Sequence, residues 1–314
     1  ITPQVADKAA EIIRLHQEAP HELAEYNLQD CVLVRDIFAT QDLMGFVLER
    51  QRLTGLAMDR QGGSVAAFDY IYLPKLHRKG FVAPTIDSDQ FGEMSPGGYV
   101  LEGKPGLFKN VLVFDFKSLY PSIIRTFLVD PLGLILSDDT DDPVAGFRGA
   151  AFHRDEHILP AMLTELWAAR DDAKRREDGA RSYAIKILMN SFYGVLGTTG
   201  CRFFDPRLAS SITLRGHEVI MGSKTLIESW GHDVVYGDTD SLFVKVDDDL
   251  SPEECRRAGN KIAQDINVYW TKKCEEEFSV ESFMEMQFET HFLQLFMPTK
   301  RGSKEGSKKR YAGW

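Results

Sequence analysis

Two apolar, β-prone runs that each carry an aspartate at one end set the tightest limit on this chain. Residues 111–116, VLVFDF, place Asp115 at the end of a strand that leads through Tyr120 and Pro121 into a short apolar helix. Residues 233–246, DVVYGDTDSLFVKV, read as a β-hairpin turning at Gly237–Asp238. A carboxylate at the end of an apolar strand is costly to bury unless a cation or several donors meet it. Asp238 and Asp240 are two apart and so face one side of an extended chain. Taken alone, GDTD is an ordinary polar turn, and no Gly and Glu follow at the spacing an EF-hand needs. Two strand-end acid sites in one chain, with a basic helical pair between them, are harder to read as turns.

That pair spans residues 160–200, LPAMLTELWAARDDAKRRE and RSYAIKILMNSFYGVLG, joined around Asp178–Gly179. Arg170 and Lys174 are four apart on the first helix and Lys186 and Asn190 four apart on the second, so each pair shares a helix face. Two or three carboxylates in one place suit a pair of divalent ions about 3.5–4 Å apart, which activate an attacking oxygen and stabilise a leaving one. Mg²⁺ prefers such oxygen ligands and completes its shell with phosphates and water. Cations and an amide facing that site would hold a polyphosphate. For Arg170, Lys174, Arg175 and Arg176 alone, a solvated basic face reads as well. Tyr193 and Gly194 suit a stacked nucleobase, and core packing of an aromatic helix reads as well.

The rest of the chain supplies the frame. Residues 3–55 have the three- and four-residue apolar spacing of two or three helices, and 204–229 and 252–277 each read as one further helix. Between Gly62 and Gly106, prolines 74, 84, 96 and 105 and the Gly97–Gly98 pair predict irregular chain with a domain boundary near residue 80. The run DDTDDP, 138–143, reads as a solvated turn, and residues 298–314 gather Lys300, Arg301, Lys304, Lys308, Lys309 and Arg310 among glycines and serines. A length of 314 residues allows roughly two domains, at about 150 residues each. The net charge of −10 argues against a nucleic-acid coat protein, though not against a nucleic-acid enzyme. No run approaches the ~18 apolar residues of a membrane span, and the first residues lack signal-peptide order, so membrane and secreted classes are disfavoured. Cys31, Cys201, Cys255 and Cys274 form no CxxC pair and read as free thiols of a reducing compartment.

Three strings occur in a telling order: DFKSLYPSII from Asp115, KILMNSFYG from Lys186 and YGDTDS from Tyr236. Together they resemble the signatures of family B DNA polymerases, bacterial members most of all. SPGGYV, 95–100, resembles the family's linker between nuclease and polymerase domains, with Ser95 where many members have tyrosine, and KKRYAG, 308–313, resembles its duplex-contacting motif. The resemblance implies an α+β fold: a right-hand palm of mostly antiparallel strands with a two-helix fingers insertion, preceded by helices from the end of an exonuclease domain. The implied division is 1–80 exonuclease end and linker, 81–150 first palm part, 151–200 fingers, and 201–314 second palm part up to a thumb.

It also implies roles. Asp115 and Asp240, with the Phe116 carbonyl, match the metal ligands, and Asp238 the less central acid. Ser118, Leu119 and Tyr120 match the triphosphate cradle, Tyr120 packing beneath the sugar to reject a 2′-hydroxyl. Arg170, Lys174, Lys186 and Asn190 match the fingers' grip on the triphosphate, Tyr193 lies in the same nucleotide site, and Lys186 would donate a proton to departing pyrophosphate. Gly97, Gly98, Tyr236, Lys309 and Tyr311 fall where the family meets DNA. Glu289 lies where the family often has a further acid, though a surface strand glutamate fits equally. Tyr26 and Asp30 match the third exonuclease signature, but no Asp-x-Glu strand precedes them, so they are expected to be idle. The implied cofactors are two Mg²⁺, which Mn²⁺ can replace. The implied partners are primer–template DNA, deoxynucleoside triphosphates and a sliding clamp reached through regions outside this chain, in the bacterial cytoplasm at the nucleoid. Repair or damage tolerance is the implied setting, with weak or absent processive synthesis by a chain without a thumb. A non-catalytic binding piece and a two-metal nuclease are the rival readings; the intact acids oppose the first and the four triphosphate-gripping residues the second.

Overall fold

The computed structural model describes residues 7–60, 62–86, 95–300, 302 and 305–314. Its centre is an antiparallel sheet of five strands, β1 (Gly106–Phe116), β4 (Asp233–Asp238), β5 (Ser241–Lys245), β6 (Met286–Met297) and β7 (Ala312–Gly313), in the order β4-β5-β1-β6-β7. A small ribbon, β2 (Val144–Ala145) with β3 (Ala151–Phe152), stands apart. β1 begins five residues before the apolar run predicted from sequence. Both its faces are covered, which is why the run is continuously apolar rather than alternating. Leu112, Phe114 and Phe116 enter the main core, and Val111 and Val113 join a smaller cluster with Val235, Tyr236 and Phe243 on the other face.

Helices pack on the main-core face: α5 (Leu119–Thr126), α9 (Pro206–Ser229) and α10 (Pro252–Phe278), with the short α6 (Pro131–Ile135) behind them. α10 starts at a capping box, the Ser251 side chain accepting from Glu254 N–H while the Glu254 carboxylate accepts from Ser251 N–H. The predicted helical pair forms α7 (Leu159–Arg175) and α8 (Gly179–Leu196), and Asp178 caps α8 by accepting from Arg181 N–H at 2.9 Å. At the N-terminal side lie α1 (Lys8–Glu18), α2 (Pro20–Thr40) and α3 (Leu43–Thr54). α3 packs on α8, where the Phe46 and Tyr183 rings meet at 5.4 Å. α2 buries no residue.

Two expectations are corrected. Residues 62–106 are not irregular throughout, because Ser64–Arg78 forms a fifteen-residue helix, α4, with Pro74 inside it. Pro74 and Tyr70 are exposed, so the carbonyl left without its N–H partner lies on the hydrated side, while Phe68, Tyr72 and Leu76 anchor the opposite face in the core. The hairpin also turns at Thr239–Asp240, not Gly237–Asp238, since Asp238 still pairs with Ser241. The acids therefore do not share a face by simple strand alternation; Asp238 ends a strand and Asp240 sits in the turn.

Candidate active site

The end of β1 and the hairpin turn meet side by side. Asp115 stands opposite Ser241 on one flank and Gln287 on the other, and Phe116 N–H donates to the Asp240 carbonyl at 2.8 Å. Thr239 occupies the left-handed region at φ +57°, unusual for a β-branched residue, and its N–H donates to the Tyr99 carbonyl at 2.8 Å. The turn is thus held from both sides. Burial pushes the Asp115 carboxyl up to about 7; Asp240 and Glu289 push the same way, and Lys186 of α8 opposes them. The Asp240 carboxyl is raised by burial, with Asp238 and Glu289 adding to it.

Glu289 owes its place to a bulge. The β1–β6 register runs from Val113 opposite Thr290 to Phe114 opposite Phe288, which leaves Glu289 as the extra residue. Its charge is felt by both Asp115 and Asp240. Asp238 is engaged elsewhere: its Oδ2 pairs with Lys309 Nζ at 3.2 Å, and its Oδ1 accepts the Thr239 hydroxyl at 3.1 Å. Among the described residues, no group of three or more His, Cys, Asp or Glu is gathered closely enough to hold a metal ion. Two half-buried acids whose carboxyls are both raised by burial, Asp240 adding to the rise at Asp115, nonetheless form with the backbone carbonyl at Phe116 a donor set suited to a hard divalent cation.

Above this lies the basic hairpin. Lys186 and Asn190 are exposed on α8, on the side turned away from Ile185 and Met189 in the core. On α7, Lys174 is exposed, while Arg170 is half-buried with its Nε lacking a partner. Arg175 and Arg176 are exposed and both pair with Asp172, so the solvated-face reading holds for those two. α7 is tied to α5 by Arg125, whose guanidinium lies 5.0 Å from the Trp167 ring and donates to Thr164 Oγ1 at 3.1 Å. Ser118 precedes α5 in the left-handed region at φ +49°, with no side-chain bond to the helix start, and Leu119 is buried. The Tyr120 and Tyr193 rings meet at 4.6 Å, and burial raises both phenols. Gly194 borders open space.

The SPGGYV segment runs along the hairpin. Leu101 N–H donates to the Gly237 carbonyl at 2.9 Å, and a Cβ on Gly98 would lie 2.4 Å from Thr239 Oγ1, so that approach requires glycine. Gly97 offers its carbonyl to His217 Nε2 at 2.8 Å. From the C-terminal side, Lys309 N–H donates to the Tyr236 hydroxyl at 2.9 Å, and Tyr311 packs 5.0 Å from Phe243. Arg301 and Lys304 lie outside the described residues. Tyr26 and Asp30 are on α2, far along the chain from this assembly, in a helix that packs only against α1 and α3 among its principal neighbours.

Sequence reasoning missed Glu285 and His217. Glu285 pairs with Lys117 at 3.2 Å, accepts Lys117 N–H at 2.9 Å on its carbonyl, and has its carboxyl held below the usual range by Gln287, Lys117 and Lys174, against the opposing effect of burial. No local pattern marks either residue, because each matters through a neighbour more than a hundred positions away.

An antiparallel sheet with acids at the end of its central strand and at the tip of the adjoining hairpin, under a basic helical hairpin, is the palm and fingers arrangement of a polymerase. The chain belongs to DNA polymerase family B, whose profile it matches over residues 58–314. It is 51% identical over 314 residues to DNA polymerase II of Escherichia coli, with 98% of this chain and 39% of that protein covered. It is 28% identical over 300 residues to a DNA polymerase of Pyrococcus glycovorans, covering 89% of this chain and 37% of that one. The structure of the family B DNA polymerase from Pyrobaculum calidifontis superposes with a TM-score of 0.59 at 28% identity, covering 88% of this chain and 35% of that chain. The chain therefore spans about two fifths of the length of its bacterial relative.

Proposed function

We propose that these residues form the catalytic core of a DNA-directed DNA polymerase, in which a primer 3′-hydroxyl attacks the α-phosphate of a deoxynucleoside triphosphate and pyrophosphate leaves. The observation that carries the reading is the meeting of the end of β1 with the Asp240 turn, Phe116 N–H donating to the Asp240 carbonyl, while Lys186, a cation from the helical hairpin, acts on Asp115. Asp115, Asp240 and the Phe116 carbonyl would hold the metal ions, with Asp238 and Glu289 as outer acids. A pair of Mg²⁺, or Mn²⁺ in its place, supplies charge neutralisation to phosphoryl transfer. The chain's own groups do the positioning. Backbone at Ser118, Leu119 and Tyr120, at the start of α5, cradles the triphosphate, since helix N-termini favour anions. Arg170, Lys174, Lys186 and Asn190 grip it from above, and Lys186 hands its ammonium proton to the departing pyrophosphate. The Tyr120 ring, steadied by Tyr193, occupies the space a 2′-hydroxyl would need. Gly97, Gly98, Tyr236, Lys309 and Tyr311 border the path for primer–template DNA.

The domain reading goes with it: residues 1–80 as exonuclease end and linker, 81–150 and 201–314 as palm, and 151–200 as fingers. Tyr26 and Asp30 then belong to the first of these and take no part in synthesis. We further propose a role in repair or damage tolerance in the bacterial cytoplasm, at the nucleoid and with a sliding clamp engaged elsewhere, a reading that the 51% identity to DNA polymerase II supports. Among the described residues no helix is long and apolar enough to cross a membrane.

The test is single-nucleotide primer extension at high enzyme concentration and low salt, comparing the chain with Asp240→Asn and Asp115→Asn. Incorporation that follows the template base and drops at least about a thousandfold in both variants is expected. Extension that survives either substitution refutes the assignment, and shortening of labelled DNA without nucleotides would make the site a nuclease.

A further inference from the structure

The first turn of α5 and the middle of α9 meet where one of them has no side chain. Gly216 lies inside α9, a helix well packed on both sides of it, with Thr213, Ile212, Val219 and Ile220 fully buried and Arg215 nearly so. A glycine weakens a helix interior and its backbone here is helical, so conformational freedom does not explain it. Space does. A Cβ at 216 would lie 3.3 Å from Cε1 of Tyr120, tighter than an ordinary contact, and 3.7 Å from Leu119 Cδ2 and Ile123 Cδ1. Tyr193 of α8 closes on the same ring at 4.6 Å. The Tyr120 ring therefore rests in a slot that exists because residue 216 ends at its Cα.

α9 is also fixed in place at that point. Thr213 Oγ1 lies 2.8 Å from Ser95 Oγ, and His217 Nε2 lies 2.8 Å from the Gly97 carbonyl, so the helix face that carries Gly216 holds the Gly97–Gly98 segment as well. These contacts resist withdrawal of the helix, so a methyl group added at 216 presses on the half-buried Tyr120 ring and asks it to give by a few tenths of an ångström.

We infer that Gly216 is a specificity-determining position of the nucleotide pocket, its missing side chain setting the depth at which Tyr120 lies and so the room left for the sugar of a deoxynucleoside triphosphate. This rests on the proposal that Tyr120 packs beneath that sugar. Gly216 itself touches no substrate; it acts through the ring.

The experiment is a double-variant cycle in the 314-residue chain with Gly216→Ala, Tyr120→Ala and both, read by dNTP kinetics and by ¹⁹F NMR of 3-fluorotyrosine-labelled protein, the Tyr120 signal assigned through Tyr120→Phe. Gly216→Ala is expected to raise the KM for dNTP about tenfold with little change in kcat, and to move the Tyr120 resonance. In the Tyr120→Ala background the same substitution should leave KM unaltered. An equal rise in both backgrounds, or no rise, overturns the inference, as does a Tyr120 signal that stays put. If Gly216→Ala does not fold, folding of the double variant supports the slot and failure of both overturns it. Should neither the chain nor a longer protein that contains it extend a primer while the Tyr120 signal moves as expected, the polymerase reading fails and the slot stands.

Discussion

Asp115 is where the chemistry of single residues is most exposed to test. Its carboxyl titrates at about 7 in the fold, against an ordinary value near 3.9. The fold favours the neutral form, so this contribution to stability is complete below about pH 4 and is lost as the pH rises through 7. Without divalent ions, Asp115→Asn should stabilise the chain at pH 8 by on the order of 1–2 kcal/mol, after allowance for solvent screening of a half-buried group, and do nothing at pH 4. Thermal melts in chelator at the two pH values check this; an equal shift at both would rule it out. The same proton competes with metal, so Mg²⁺ affinity measured by calorimetry should fall about tenfold between pH 8 and pH 6. At this scale the site was legible because its acids and cations are embedded in short contiguous strings. Glu285 and His217 were not, since Glu285 acts on Lys117 and His217 on Gly97, far away in sequence.

Among elements, the junction of α4, α6 and α7 depends on one buried carboxylate. Asp130, fully buried, accepts from the Tyr72 hydroxyl at 3.1 Å and from the N–H groups of Gly133, Ile158 and Leu159 at 2.8, 3.1 and 2.7 Å. Asp130→Ala strands three buried N–H donors and should cost ~3–5 kcal/mol in urea unfolding, whereas Tyr72→Phe should cost ~1–2. If the first loss were below that of the second, Asp130 would not be the anchor of the fingers' base. Helix periodicity located α7, α8, α9 and α10 from sequence. It failed at α4, where Pro74 argued for a break and three buried side chains on the far face decided otherwise. The glycine signal misplaced the hairpin turn, because glycine marks a turn only when the strands' partners do not fix the register first.

Across the whole molecule, α4 shares one core with the fingers: Phe68 stacks at 5.0 Å on Tyr72 and meets Phe192 of α8 edge-on at 5.4 Å. α1 and α2 contribute Leu15 alone to the buried residues. A chain begun at Asp42 should melt within about 2–4 °C of the complete one by circular dichroism, whereas loss of residues through 80 should abolish cooperative unfolding. A large drop in the first case would show that the outer helices carry stability. By itself the sequence determined the acids, the basic hairpin, the strand that ends on Asp115 and membership of the family, because each is written in neighbouring residues that share one strand or helix face. The tertiary structure alone decided the turn at Thr239, the bulge that turns Glu289 toward two other acids, and the slot at Gly216. Those depend on which distant side chains occupy the same space, and close packing admits few answers that no local pattern encodes.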